Sequence, residues 1–153
     1  MSSRDNAFDS KKRTYTTEKW FTILKLSTKF QCSNLRKEAL LSLESGWSNK
    51  SLEHPTAIEL LKMGRSFWVQ KWVICGYMAS VGRGKGISEE EMLEIGSVEA
   101  FRLMRMREKR KACFDSEFDI QTAVQQVFQE EIAWIVAEEK KCEGFHYSTE
   151  DGW

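Results

Sequence analysis

Helix-start signals recur along this chain about once per helix length, and almost nothing breaks the helices between them. They fall at Thr16/Thr17, Ser33/Asn34, His54-Pro55, Ser88, Ser97 and Ser116. Each stands before a segment whose apolar residues return every three or four positions, the period of an amphipathic helix. A single proline, Pro55, occurs in 153 residues, so helix interiors are free of the residue that interrupts them most strongly. No β-branched run alternates with polar residues over the length of a strand. These patterns predict an all-α fold: one domain of six or seven short amphipathic helices closing on a long C-terminal helix.

Residues 1–15 are polar and aperiodic and are expected to form a disordered lead-in. The helical domain is expected over 16–140 and a flexible tail over 141–153. The first helix should run from Glu18 to Phe30 with Trp20, Ile23, Leu24, Ser27 and Phe30 on one face. The second follows Ser33 or Asn34, carries Leu35, Ala39, Leu40 and Leu43 inward and stops near Gly46. Pro55 suits the first position of a third helix, with His54 as its cap. In that helix Ala57, Leu61 and Gly64 share a side, and the glycine allows another helix to approach closely. A fourth helix over 69–79 points Val69, Trp72, Val73, Gly76 and Tyr77 inward.

Ser88-x-x-Glu91 is a capping box. It opens a short helix that ends at Gly96, and Ser97 caps the next. The last long helix, 117–139, should bury Ile120, Val124, Val127, Phe128 and Ile135.

Charge and chemistry narrow the function classes. The chain has 23 basic and 23 acidic side chains, and a net charge of zero weighs against a general nucleic-acid or membrane-surface binder. The exception is local. Six basic residues and one acid lie between Arg102 and Lys111, and Arg102, Arg105 and Lys109 align on one helix face. Cys32, Cys75, Cys113 and Cys142 match no metal-ligand spacing, and neither zinc nor a disulfide is expected. No leader pattern and no apolar run long enough for a membrane span are present. The expected setting is therefore intracellular, in cytoplasm or nucleus.

Nucleophilic catalysis needs Ser or Cys beside a base. His54 reads as a helix cap and His146 as a tail residue, so no catalytic, cofactor or metal residues are assigned, and no small-molecule substrate is inferred. The cluster Val81-Gly82-Arg83-Gly84-Lys85-Gly86 lacks the ending of a phosphate loop and follows a helix pattern. Two groups of residues stand out as contacts for a partner: the basic stripe Arg102, Arg105 and Lys109, and the loop and tail tryptophans Trp47 and Trp153. Glu131 falls within the apolar stripe of the last helix, where a carboxylate needs a partner. A simple hairpin of the last two helices favours a structural ion pair between Glu131 and Arg102, ahead of Arg107, with Arg65 as the alternative.

Several phrases resemble a known family. They are Trp20-Phe21-Thr22-Ile23-Leu24-Lys25-Leu26-Ser27-Thr28-Lys29-Phe30 followed by Leu35-Arg36-Lys37-Glu38-Ala39, the stretch Ala57 to Trp72, and Ile87-Ser88-Glu89-Glu90-Glu91 with Ile95-Gly96. Met106-Arg107-Glu108 and the pattern from Phe118-Asp119-Ile120 through Ala123-Val124 and Val127-Phe128 to Glu131 complete them. In order and spacing they resemble the helical region that follows the BTB/POZ domain in fungal BTB/POZ-domain proteins, over residues 16–135. Gly64 stands where that pattern has alanine. The residues before 16 are too few for a BTB/POZ domain, so the chain is expected to correspond to the helical part alone. The resemblance implies a scaffold or adaptor that binds another protein, and it brings no catalytic residues. The alternative is a nucleic-acid-binding or nuclear regulatory domain using the basic stripe at 102–111.

Overall fold

The computed structural model describes residues 16–113 and 118–143. The expected lead-in at 1–15, the Ser116 cap, Trp153 and nearly all of the expected tail lie outside the described residues. Eight helices and no strand occur among those described. They are α1 (Thr17–Lys29), α2 (Ser33–Ser48), α3 (Ala57–Phe67), α4 (Gln70–Gly82), α5 (Glu89–Ile95), α6 (Ser97–Ala112), α7 (Ile120–Val127) and α8 (Gln129–Glu143). The chain forms two compact units, one holding α1 and α2 and the other spanning Pro55–Lys141.

In the first unit α1 and α2 pair. Thr16 caps α1 by accepting from the Lys19 N–H. Trp20, Leu24 and Ser27 are buried on it, whereas Phe30 is exposed because the helix stops one residue earlier. The stop is made by Gln31 at φ 56°, with the Cys32 N–H reaching back to the Ser27 carbonyl at 2.9 Å. A glycine is usual at that left-handed position.

On α2 the buried line is Arg36, Ala39, Leu43 and Trp47, and Leu35 is exposed. Ala39 and Leu43 are buried as expected, but Arg36 rather than Leu35 takes the core position before them, donating to Thr28 Oγ1 at 2.6 Å. Gly46 does not end the helix. It lies inside it, where a Cβ would collide with the Leu52 side chain.

The second unit has one core, in which Leu61, Val73, Tyr77, Leu103, Val124, Phe128 and Ile135 are almost fully enclosed. Its α3 is opened by a capping box, Thr56 with Glu59. His54 is therefore not the cap, and Pro55 precedes the helix rather than starting it. The α3–α4 pair is packed through glycine on both sides. A Cβ at Gly64 would lie 2.7 Å from the Val73 nitrogen, and one at Gly76 would lie 2.8 Å from the Leu61 nitrogen. All five inward residues expected on α4 are buried. Cys75 is exposed on the opposite face.

The C-terminal end of α4 is closed by a side chain from α6. Arg107 Nη1 donates to the carbonyls of Ser80 (2.8 Å), Val81 (3.2 Å) and Arg83 (2.8 Å), and Nη2 donates to that of Gly84 (3.3 Å). These are the carbonyls a helix end leaves without partners, and a cation there also complements the helix dipole. Arg83 in turn donates to Gly86 O and to Glu91, the acid of the Ser88 capping box. The glycine-rich loop thus turns its carbonyls toward two guanidinium groups.

The expected last long helix is two helices. Asp119 caps α7. The ladder is interrupted at Phe128 (φ −107°, ψ 25°), and α8 starts with the Ile132 N–H on the Phe128 carbonyl. Val124, Phe128, Ile132 and Ile135 are buried, while Val127 is exposed at the break. No helix among the described residues is long and apolar enough to cross a membrane.

Candidate functional site

The richest convergence of polar groups in the second unit is built on Arg65, in the last turn of α3. Its Nε donates to Glu131 Oε2 at 2.6 Å and its Nη2 to Glu131 Oε1 at 3.4 Å. The same Nη2 donates to the Tyr77 hydroxyl at 2.6 Å, and Nη1 donates to the Ile95 carbonyl at 2.8 Å. The Tyr77 hydroxyl donates to Glu131 Oε1. One guanidinium therefore joins the ends of α3, α5 and α8 to the middle of α4. A planar fork suits this work, because its donors point in fixed directions to several acceptors at once. Glu131 lies in the first turn of α8, where a carboxylate also complements the helix dipole.

Burial and the Glu131 carboxylate beside it push the Tyr77 phenol far above its usual value. Burial, the largest single influence, acts to lower the Arg65 value, but the bonds and charges of Glu131 and Tyr77 together outweigh it and raise it, so the guanidinium stays charged. The Tyr77 ring is sandwiched against Phe128, with centroids 3.7 Å apart and planes at 4°. The network is therefore locked to the hydrophobic core on its inner side.

On its outer side it floors a cleft of about 610 Å³ lined by Arg65, Ser66, Trp68, Ile95, Glu99, Glu130, Glu131 and Trp134. Trp68 forms one wall in a left-handed conformation, φ 58° and ψ 53°, at the end of α3. Glycine takes that conformation freely, whereas a bulky residue is strained by it. The Trp68 ring meets Trp134 edge to face at 4.9 Å and 83°. Trp134 remains 56% exposed. Three carboxylates and one guanidinium share this lining, so the cleft is acidic around its aromatic wall.

The structure rearranges the expected site residues. Glu131 is half-buried and ion-paired, but its partner is Arg65. Arg102 is exposed and has no ion pair among the described residues. The hairpin that favoured Arg102 does not form, because the break at Phe128 redirects α8 toward the end of α3. Arg107, the other α6 arginine considered, is committed to the end of α4. Trp47 is buried, its ring 5.8 Å from that of His54. It was expected in a loop, but α2 continues through it. Arg102, Arg105 and Lys109 share an exposed face of α6, as expected, and lie outside the cleft.

Trp68 and Trp134 were not singled out as site residues. No sequence signal marks them, since a left-handed tryptophan and an edge-on partner on another helix are both products of packing. No group of three or more His, Cys, Asp or Glu is placed to hold a metal ion among the described residues. No family model, characterised protein or solved structure matches this chain.

Proposed function

We propose that this chain is a non-enzymatic protein-interaction module, a scaffold element of the kind that follows a BTB/POZ domain. The observation that carries the reading is the Trp68–Trp134 wall. A strained backbone is retained at Trp68, and the ring it positions supports a half-exposed tryptophan at the edge of a cleft. Strain of this kind collects at ligand-contacting positions, and exposed tryptophans backed by other aromatics are typical anchors of protein interfaces. The polar groups beneath the wall satisfy one another, which suits a rigid platform. The acidic lining favours a partner segment that brings a cation beside an apolar anchor.

The test is binding of candidate partner proteins, followed by Trp134→Ala and Trp68→Gly. Both variants should lose at least tenfold in affinity, the loss of one aromatic anchor of about 1.4 kcal/mol or more. Turnover of a small substrate that disappears in Arg65 or Glu131 variants would replace this reading with an enzymatic one.

A second reading has its own observation. The face of α6 carries exposed cations, and a nucleic acid could meet them. The exposed Val98 on the same stripe weighs against it, since phosphate contacts make no use of an aliphatic side chain.

A further inference from the structure

We infer that the α5–α6 corner is a self-association surface that takes a second copy of this chain, with α5 of each copy lying on α6 of the other. Among the described residues of the second unit, three of the most exposed large apolar side chains fall within nine consecutive positions: Leu93 (85% exposed), Val98 (55%) and Phe101 (56%). They are not isolated. On α6 the spacing places Val98, Phe101, Arg102, Arg105 and Lys109 on one stripe, and the Arg105 guanidinium sits 5.9 Å over the Phe101 ring. On α5 Leu93 follows Glu89 and Glu90 by four and three positions, which puts all three on one side of the helix. One corner thus carries an acidic apolar element directly followed by a basic apolar one.

Part of the charge on these two elements has no ion-pair partner within the copy among the described residues. Glu91 is bound by Arg83, and Glu94 by Lys62. Glu89, Glu90, Arg102, Arg105 and Lys109 take part in no ion pair among the described residues. Gly96, at φ 106°, turns the chain sharply between α5 and α6. Among the described residues no ion pair joins the acidic residues Glu89 and Glu90 to the basic residues Arg102, Arg105 and Lys109 within one molecule.

A two-fold axis at this corner resolves both excesses together. In such an isologous pair each contact is made twice, so Glu89 and Glu90 of one copy face Arg102 and Arg105 of the other, and the reverse holds as well. Leu93, Val98 and Phe101 then supply the apolar centre within a charged rim. A net charge of zero removes the long-range repulsion that would oppose association of identical chains. Nucleic acid would satisfy only the basic half and would repel the acidic half beside it. The inference goes beyond the cleft reading and stands whether or not Trp134 receives another protein.

The experiment is sedimentation of the full chain, followed by a charge exchange. The wild-type weight-average mass should rise with concentration from 17.8 kDa toward twice that value. The dissociation constant should rise several-fold when salt goes from about 0.05 M to about 0.5 M. The double variants Glu89→Lys/Glu90→Lys and Arg102→Glu/Arg105→Glu should each be monomeric, because each makes two like-charged contacts with itself. An equimolar mixture of the two should form the heterodimer, because both of its contacts are again opposite in sign.

Restored pairing in the mixture excludes misfolding as the cause of the single losses, and circular dichroism of each variant should match the wild type. A chain that stays monomeric at all concentrations overturns the inference. So does a dimer indifferent to both exchanges. So does salt-sensitive RNA binding, lost in the Arg102/Arg105 variant, by a chain that remains monomeric.

Discussion

Glu131→Ala should be the most revealing single change to the second unit. It removes the acceptor of the Arg65 Nε bond at 2.6 Å, of the longer Nη2 bond at 3.4 Å, and of the Tyr77 hydroxyl. Deleting one partner of a fully buried pair costs about 3–5 kcal/mol, and deleting one of an exposed pair costs about 0–1 kcal/mol. The side chains here are 26% and 21% exposed, which places the pair between those limits. Arg65 also keeps two acceptors after the change, Ile95 O at 2.8 Å and the Tyr77 hydroxyl at 2.6 Å, so its charge is only partly orphaned. The expected loss is about 2 kcal/mol, which for a chain of this size lowers the melting temperature by about 4–8 °C.

Urea denaturation followed by far-ultraviolet circular dichroism, and in parallel by tryptophan fluorescence, would measure it. A double-mutant cycle with Arg65→Met isolates the pair and should give a coupling of about 1 kcal/mol or more. Glu131→Gln should lose less than Glu131→Ala, since it still accepts from Arg65 and Tyr77. A Glu131→Ala variant as stable as the wild type, in a cycle with no coupling, would refute the argument that this network holds the four helices together.

Other outcomes follow from neighbouring features. Gly64→Ala and Gly76→Ala should each destabilise by about 1–3 kcal/mol, despite the gain of about 1 kcal/mol in helix propensity. In both, the new methyl would meet backbone of the facing helix, and chemical denaturation reads the sign. Tyr77 should resist ionisation in an alkaline ultraviolet titration of the folded protein. Its raised value means the stability it contributes is complete below about pH 10 and is lost as pH rises beyond it. Tyr77→Phe should flatten that alkaline decline. In acid the sign reverses. The bond from Arg83 holds the Glu91 carboxyl below its usual value, and the bonds from Thr122 hold that of Asp119 below its own. Their contributions are present above about pH 4 and fade as pH falls below it, so Asp119→Asn should shallow the acid limb of a stability–pH curve.

Legibility followed the range of the interactions. Short-range rules were readable. Ser88-x-x-Glu91 closes into the capping box its spacing implies, and the inward line Trp72, Val73, Gly76 and Tyr77 is buried as its period requires. A capping box of the same kind at Thr56 and Glu59 opens α3, beside the His54-Pro55 pair that reads as its start. It was legible in principle, because a cap is decided by residues three positions apart.

What the chain determined alone is its helical character, its capping boxes and the inward faces of its regular helices. All of these depend on neighbours a few positions away along one backbone. Tertiary structure decided the rest. Gln31 and Trp68 end helices in left-handed conformations that no glycine announces. Arg36 occupies a core position that no apolar pattern marks, and Arg107 closes the end of a helix twenty-seven residues from Ser80. Glu131 showed in sequence that it needed a cation, yet Arg65, Arg102 and Arg107 offer it the same guanidinium, and the hairpin spacing that favours Arg102 points to the wrong one. Only the break at Phe128, which sets the direction of α8, could choose among them, because an ion pair is selected by proximity in space and charge alone carries no address.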